Sequence, residues 1–194
     1  MPGEARGRAS ILDTAAKLFS QKGYRGVSIR DIAQACGMTN AALYYHFENK
    51  EDLYLAVLRR SHEKIMASIA ARGNGDRDLR ARLKRLVLAY ADVMCEQRQS
   101  FHSMRRDLAS VDSARAGKLF GEMRSTFMRP IVDVIESGQA DGTIARGDAR
   151  VYARLLHGMI IALTFEGPGR HQRLTPAEAD VLVDVFLDGA GRKP

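Results

Sequence analysis

Twenty consecutive residues, Ser28 to Phe47 (SIRDIAQACGMTNAALYYHF), concentrate side chains suited to reading a polyanion and the bases inside it. Asn40 offers an amide that pairs bidentately with an adenine edge, and the methyls of Ala41 and Ala42 can touch thymine methyls. Thr39 to Ala42 are short, so a helix starting there allows close approach to a groove. Tyr44, Tyr45, His46 and Lys50 follow as hydroxyl, imidazole and ammonium donors for phosphate oxygens. Helix N-termini at Ser28 and Asn49 add backbone donors of the same use.

These residues need two short helices to hold them. Ser28 is an N-cap type with Asp31 three positions on, a capping-box variant. The helix it opens carries Ile32, Ala33 and Cys36 inward and stops at Gly37. Thr39 caps a second, ending near Phe47. Two short helices meeting across Cys36-Gly37-Met38 have the length and glycine placement of a helix-turn-helix, whose second helix enters the major groove. Tyr44 and Tyr45 also read as core aromatics. Neighbouring helical positions face different ways, so one of the two is expected to pack partly against the first helix of the chain.

The rest of the chain also reads as helix, giving an all-α fold of about nine helices. No sustained period-two alternation marks a strand, and no repeat of 20–50 residues is visible. The first helix spans about 8–21, with Ile11, Ala15, Leu18 and Phe19 on one face and Gly23 as its stop. The fourth starts at Asn49, carries Leu53, Val57, Leu58 and Ile65, and reaches about Ala71. Later helices fall near 76–98, 100–109, 113–139, 148–166 and 176–189. Pro130 lies inside the third of these and is expected to kink it. Thr175-Pro176-Ala177-Glu178 is a helix start with a capping Thr, Pro at N1 and Glu at N3. The fourth helix therefore joins a small N-terminal trihelical unit to a larger C-terminal bundle. That sets a boundary between 5–65 and 66–194, with the helix-turn-helix at 28–47.

Other chemistries fail on spacing. His62-Glu63 begins an H-E-x-x-H, but Met66 stands where the second zinc ligand belongs. Ser61 to Lys64 matches S-x-x-K with no companion motif. The five histidines show no ligand pairing, so no metal or cofactor is expected. Cys36 and Cys95 form no C-x-x-C and read as small buried hydrophobes of a reduced chain.

The 194 residues are 45% hydrophobic and 27% charged, which excludes a disordered chain. No apolar stretch approaches the roughly 20 residues of a membrane span, and the first ten residues lack a signal's apolar core. A cytoplasmic chain without membrane contact is the expectation. Thirty Lys and Arg against 23 Asp and Glu give a net charge of +7. Residues 1–30 hold six basic and two acidic side chains, and such a basic end points to phosphate-rich partners or an anionic membrane surface.

The stretch G-M-T-N-A-A-L-Y-Y-H-F-E-N-K-E-D-L, preceded by A-x-x-L-F-x-x-x-G-Y-x-x-V-S-I-R-D-I-A, resembles the tetracycline-repressor (TetR) family of transcriptional regulators. The resemblance covers about residues 8–55. It implies that Arg30 and Asn40 read base edges while Ser28, Thr39, Tyr44, Tyr45, His46 and Lys50 contact the backbone. Position 42, where many members carry Thr or Ser, is Ala here, and position 36 is Cys where a larger aliphatic is common.

For the C-terminal helices the resemblance is one of architecture. It implies a homodimer through the last two long helices and a small-molecule effector between the middle ones. The faces compatible with a dimer are Val151, Leu155, Gly158, Met159 and Ala162, then Val181, Leu182, Val185, Phe186 and Gly189. Periodicity alone reads the same faces as a monomer's core stripes. Tyr90, Met94, Phe101, Met104, Phe120, Met123, Phe127 and Phe165 are the bulky candidates for an effector lining. Soft and flat side chains of that kind suit a hydrophobic or amphipathic molecule, with Arg105 or Arg124 meeting an anionic end.

The expected function is then a repressor that binds double-stranded, palindromic operator DNA and releases it when the effector binds. Alternatives are a regulator without an effector, a helical enzyme, or a protein-interaction module. No nucleophile–base or metal constellation supports an enzyme.

Overall fold

The computed structural model describes residues 2–73, 78–97, 107, 111, 114–164 and 173–190. Eight helices lie among them: α1 (Pro2–Lys22), α2 (Ile29–Ala35), α3 (Asn40–His46), α4 (Lys50–Gly73), α5 (Leu79–Glu96), α6 (Ala114–Ala140), α7 (Ala149–Thr164) and α8 (Pro176–Ala190). No strand occurs among the described residues. The fold is all-α. The helix expected at 100–109 lies outside the described residues except for Asp107.

Helix boundaries follow local chemistry. α1 begins about six residues before its expected start, with Pro2 as its first residue, where a missing N–H costs no hydrogen bond. It ends at Gly23, whose φ of 72° suits glycine and whose N–H donates to the Phe19 carbonyl at 2.8 Å. Ser28 and Asp31 form the expected reciprocal cap of α2. Gly37, at φ 66°, makes the left-handed turn into α3 that an L side chain would strain. α8 starts as its sequence requires: Thr175 N–H donates to Glu178 at 2.8 Å, and Glu178 N–H returns to the Thr175 hydroxyl at 3.3 Å. α6 continues through Pro130, which withholds one backbone donor without ending the helix.

The chain forms two compact units, Met1–Lys64 with Arg98–Met123 and Ile65–Gln97 with Arg124–Pro194. The dividing points fall inside α4 and α6.

In the first unit α1 packs on α2, and α2 on α3. Ile11, Leu12, Ala15 and Phe19 of α1 meet Ile32 and Ala33 of α2, Leu43 and Phe47, and Leu53, Val57 and Leu58 of α4 in one buried cluster. Leu18 sits at its edge, half-buried. Phe19, Tyr24 and Tyr54 form an aromatic trio, the Tyr54 ring meeting both neighbours at 4.9 Å between centroids. Cys36 is half-buried against this core, and Cys95 is half-buried in the second unit. Both are thus less enclosed than their apolar character suggested, because each lies near a helix end where packing is incomplete.

In the second unit α5 packs against α7 and α8, which also meet each other. Leu83, Val87 and Tyr90 of α5, Ile131 and Ile135 of α6, Leu156 and Ile160 of α7, and Leu182 and Phe186 of α8 are buried. Ion pairs rim the α5–α8 contact: Lys84 to Asp180 at 2.7 Å, and Arg80 to Asp184. The Tyr90 hydroxyl donates to the Phe127 carbonyl, and the Phe127 and His157 rings lie at 5.6 Å. His157 Nε2 is buried and has no hydrogen-bond partner among the described residues, and desolvation lowers its pKa. No described helix is long and apolar enough to cross a membrane.

Two outcomes are expected. Leu43→Ala should destabilise the protein by about 2–5 kcal/mol in urea unfolding, because it opens a cavity under α3. The lowered His157 pKa means that the unfolded chain binds this proton more readily than the native one. Its contribution to stability is therefore complete above the unfolded value near 6.5 and declines as pH falls through the native value. His157→Phe should flatten the decline of the urea midpoint between about pH 7 and pH 5.

Candidate nucleic-acid interface

α3 buries Leu43 completely, and Phe47 just beyond its end is 1% exposed. These two anchors are four residues apart and fix which face of the helix turns outward. Asn40, Ala41, Ala42, Tyr44 and Tyr45 are all exposed. Tyr44 is 52% and Tyr45 75% exposed, among the few large hydrophobic side chains left in solvent. Leu43 and Phe47 fill the inward direction, so neither tyrosine is the core aromatic that the sequence also allowed. His46 is half-buried, its ring edge-on to Tyr45 at 5.2 Å.

The capping residues are partly committed. Thr39 Oγ1 accepts the Ala42 N–H at 3.2 Å, leaving its own hydrogen to donate outward. Ser28 is more constrained. Its hydroxyl donates to Asp31 at 2.7 Å and accepts the Asp31 N–H at 3.1 Å, while its own N–H donates to the same carboxylate at 2.8 Å. Both of its donors are spent inside the cap, so Ser28 positions α2 instead of giving a proton to phosphate. The Ser28 hydrogen bonds hold the Asp31 carboxyl below its usual range. Asn49 likewise caps Asp52 N–H at 2.9 Å. Arg30 is exposed on α2.

Lys50 is half-buried, with its ammonium 4.3 Å from the centre of the Tyr24 ring. Desolvation pushes its pKa down, and the Asp107 and Asp31 carboxylates pull it back up. A cation held against a ring face keeps its position with less loss of freedom than a free lysine.

Two residues behind this surface escaped the sequence reading. Asp107, 4% exposed, accepts the Tyr24 N–H at 2.8 Å and the Tyr54 hydroxyl at 3.3 Å. Arg115 reaches Asp52 at 2.9 Å and Glu48 at 3.7 Å, bracing the turn between α3 and α4. Each lies more than fifty residues from its partners, and no local pattern signals such a contact.

Elsewhere the candidates separate. Tyr90, Met94 and Phe127 belong to the second unit, whereas Phe120 and Met123 pack against the core of the first. Phe101, Met104, Arg105 and Phe165 lie outside the described residues, and Arg124 is exposed. On α7 and α8, Val151, Leu155, Val181 and Val185 are 40–63% exposed, Gly158 and Ala162 are exposed, and Met159 is half-buried. Leu182 and Phe186 are buried instead, since they face α5 and α7 within their own unit.

Comparison with known proteins agrees with this geometry. A family model described as "Bacterial regulatory proteins, tetR family" matches residues 11–57. Another, "Tetracyclin repressor-like, C-terminal domain", matches residues 76–165, and the two together span more than half of the chain. The chain belongs to the TetR family of transcriptional regulators.

The HTH-type transcriptional repressor KstR2 of Rhodococcus jostii is 26% identical over 96% of this chain and 92% of its own length. The crystal structure of the TetR family regulator PfmR from Thermus thermophilus superposes with a TM-score of 0.67 at 26% identity, covering 94% of this chain and 99% of that one. The structure of AibR in complex with isovaleryl coenzyme A and operator DNA shares the fold at a TM-score of 0.64 and 22% identity, over 95% and 98% of the two chains. The family and these relatives are regulators, not enzymes.

On a TetR head of this shape, Asn40→Ala should cost about 1–3 kcal/mol per half-site and relax preference at one base pair, measured by operator titrations. Lys50→Ala should weaken specific and scrambled DNA alike and flatten the salt dependence of both.

Proposed function

We propose that this TetR-family protein is a homodimeric repressor that binds a palindromic operator and releases it when a small molecule occupies its C-terminal part. The observation that carries the reading is the outward face of α3. Asn40, Tyr44 and Tyr45 stand in solvent on a helix held from behind by Leu43 and Phe47. Base reading is assigned to Asn40 and Arg30. Phosphate contact is assigned to Thr39, Tyr44, Tyr45, His46 and Lys50, with Ala41 and Ala42 admitting the groove wall. DNA binding belongs to 5–65, and effector binding and dimerisation to 66–194. The site of action is the cytoplasm, where operator DNA is reached without crossing a membrane.

The apolar stripe of α7 and α8 supports the dimer. Val151, Leu155, Val181 and Val185 are exposed next to Gly158 and Ala162, whose small size permits close approach of a second copy. Ile161 and Leu163, 38% and 39% exposed, flank it. A two-fold protein reads an inverted repeat, its half-site centres about one helical turn apart or a modest departure from it.

For the effector, the second unit offers Tyr90, Phe127 and His157 in ring contact, with Met94 buried on the helix of Tyr90, a set suited to a hydrophobic or amphipathic molecule. AibR, a relative in fold, holds isovaleryl coenzyme A and operator DNA in one complex. α4 runs from Lys50 into the second unit and is the segment through which occupancy would change operator affinity. Such a change requires the ligand to bind one arrangement more tightly than the other.

Sedimentation of the wild type at micromolar concentration should show a dimer, and Leu155→Asp with Val185→Asp should yield monomers that lose operator affinity. A wild-type monomer binding one half-site with full affinity would overturn the reading. Thermal-shift screening followed by operator release tests the effector. A ligand that stabilises the protein without changing operator affinity would break the proposed coupling.

A further inference from the structure

The first unit contains a cleft of about 590 Å³ lined by residues of α1, α4 and α6. That volume lies within the ~300–1,000 Å³ typical of small-molecule sites. Its floor is apolar: Leu12, Leu55 and Leu119 are each less than 9% exposed, and half-buried Ala56 lies beside them. Its rim is cationic, with Arg8, Arg59, Arg60, Arg115 and Lys118. Three carboxylates share the lining, Asp52, Glu63 and Glu122, so positive charge is in excess by two.

The pairing within the rim is uneven. Arg115 and Asp52 neutralise each other at 2.9 Å, and Arg60 is engaged by Asp13 at 3.1 Å. Arg59 reaches Glu122 only at 3.9 Å, and both side chains are about half exposed. Lys118 forms no ion pair among the described residues, and Arg8 lies over the Phe47 ring at 4.9 Å. Arg60 Nε is buried and has no hydrogen-bond partner among the described residues. A cleft of this size with an apolar floor and two exposed rim cations, Arg59 held only loosely by Glu122 and Lys118 outside any ion pair among the described residues, is matched by a particular chemistry. That chemistry is one anionic head, which guanidinium and ammonium groups bind by charge-assisted hydrogen bonds, on one apolar chain that covers the leucines.

We propose that the α1–α4–α6 cleft is a binding site for a single-chain anionic amphiphile, its head held by Arg59 and Lys118, and its chain on Leu12, Leu55 and Leu119. The proposal concerns binding within the first unit and does not depend on how operator DNA or an effector in the second unit is bound.

The full-length protein is titrated below the micelle concentration with sodium decanoate and with decyl phosphate, which separate a carboxylate head from a phosphate head. Octyl glucoside is the uncharged control. Methyl NMR should show saturable shifts at Leu12, Leu55 and Leu119 with one or both anions. Arg59→Gln and Lys118→Gln alter exposed side chains, so folding is preserved; each should weaken the better anion roughly tenfold, while Arg146→Gln in the second unit should not. Shifts confined to second-unit methyls such as Leu83 and Leu156 would overturn the proposal. So would binding of octyl glucoside as tight as that of the anions, or affinities unchanged in both rim variants.

Discussion

A helix of seven residues is too short to hold itself together in water, because the cost of its first turn is spread over too few hydrogen bonds. α2 and α3 are both of that length, and everything α3 presents outward depends on the burial of Leu43 and Phe47 beneath it. The Ser28–Asp31 and Thr39–Ala42 caps satisfy amide donors that a short helix would otherwise leave open. Packing sets the direction of the helix, and capping sets its first residue. With both in place, Asn40, Tyr44 and Tyr45 face solvent without contributing to the core.

The same economy explains the long-range contacts behind the surface. The turn before α2 and the start of α4 bury Val27, Leu53 and Tyr54, and polar contacts add to that packing. Asp107 receives the Tyr24 amide and the Tyr54 hydroxyl, and Lys50 rests on the Tyr24 ring. A buried carboxylate is tolerated where its oxygens are hydrogen-bonded and a cation lies near. Tyr24 thus supplies the Asp107 bond through its backbone and a seat for Lys50 through its ring.

In the second unit the balance differs. Long amphipathic helices bury aliphatic residues, and ion pairs such as Lys84–Asp180, Arg80–Asp184 and Arg173–Glu96 lie at the solvent edge. Beside exposed charges such as Arg154 and Glu178, α7 and α8 also leave Val151, Leu155, Val181 and Val185 outside, against the usual tendency of a helix to turn polar residues to water. A surface of that composition is stabilised by covering it, which is the physical basis for reading it as a dimer face.

The helices, their caps and the helix-turn-helix were legible in the residues, because each rests on interactions within four positions: 3.6-residue periodicity, Ser28 with Asp31, Thr175 with Glu178, and glycine at Gly23 and Gly37. The family could be recognised for the same reason, since its motif lies in one continuous stretch. Tertiary structure alone decided which equivalent apolar positions turn inward. It buried Leu182 and Phe186 while leaving Val181 and Val185 in solvent, and it put both Tyr44 and Tyr45 outside. It also withdrew the Ser28 donors into a cap, placed Lys50 on Tyr24, and brought Asp107 and Arg115 to residues more than fifty positions away. Periodicity states that a helix has an apolar face, but the partner that covers that face comes from elsewhere in the chain. The identity of that partner is a property of the assembled fold.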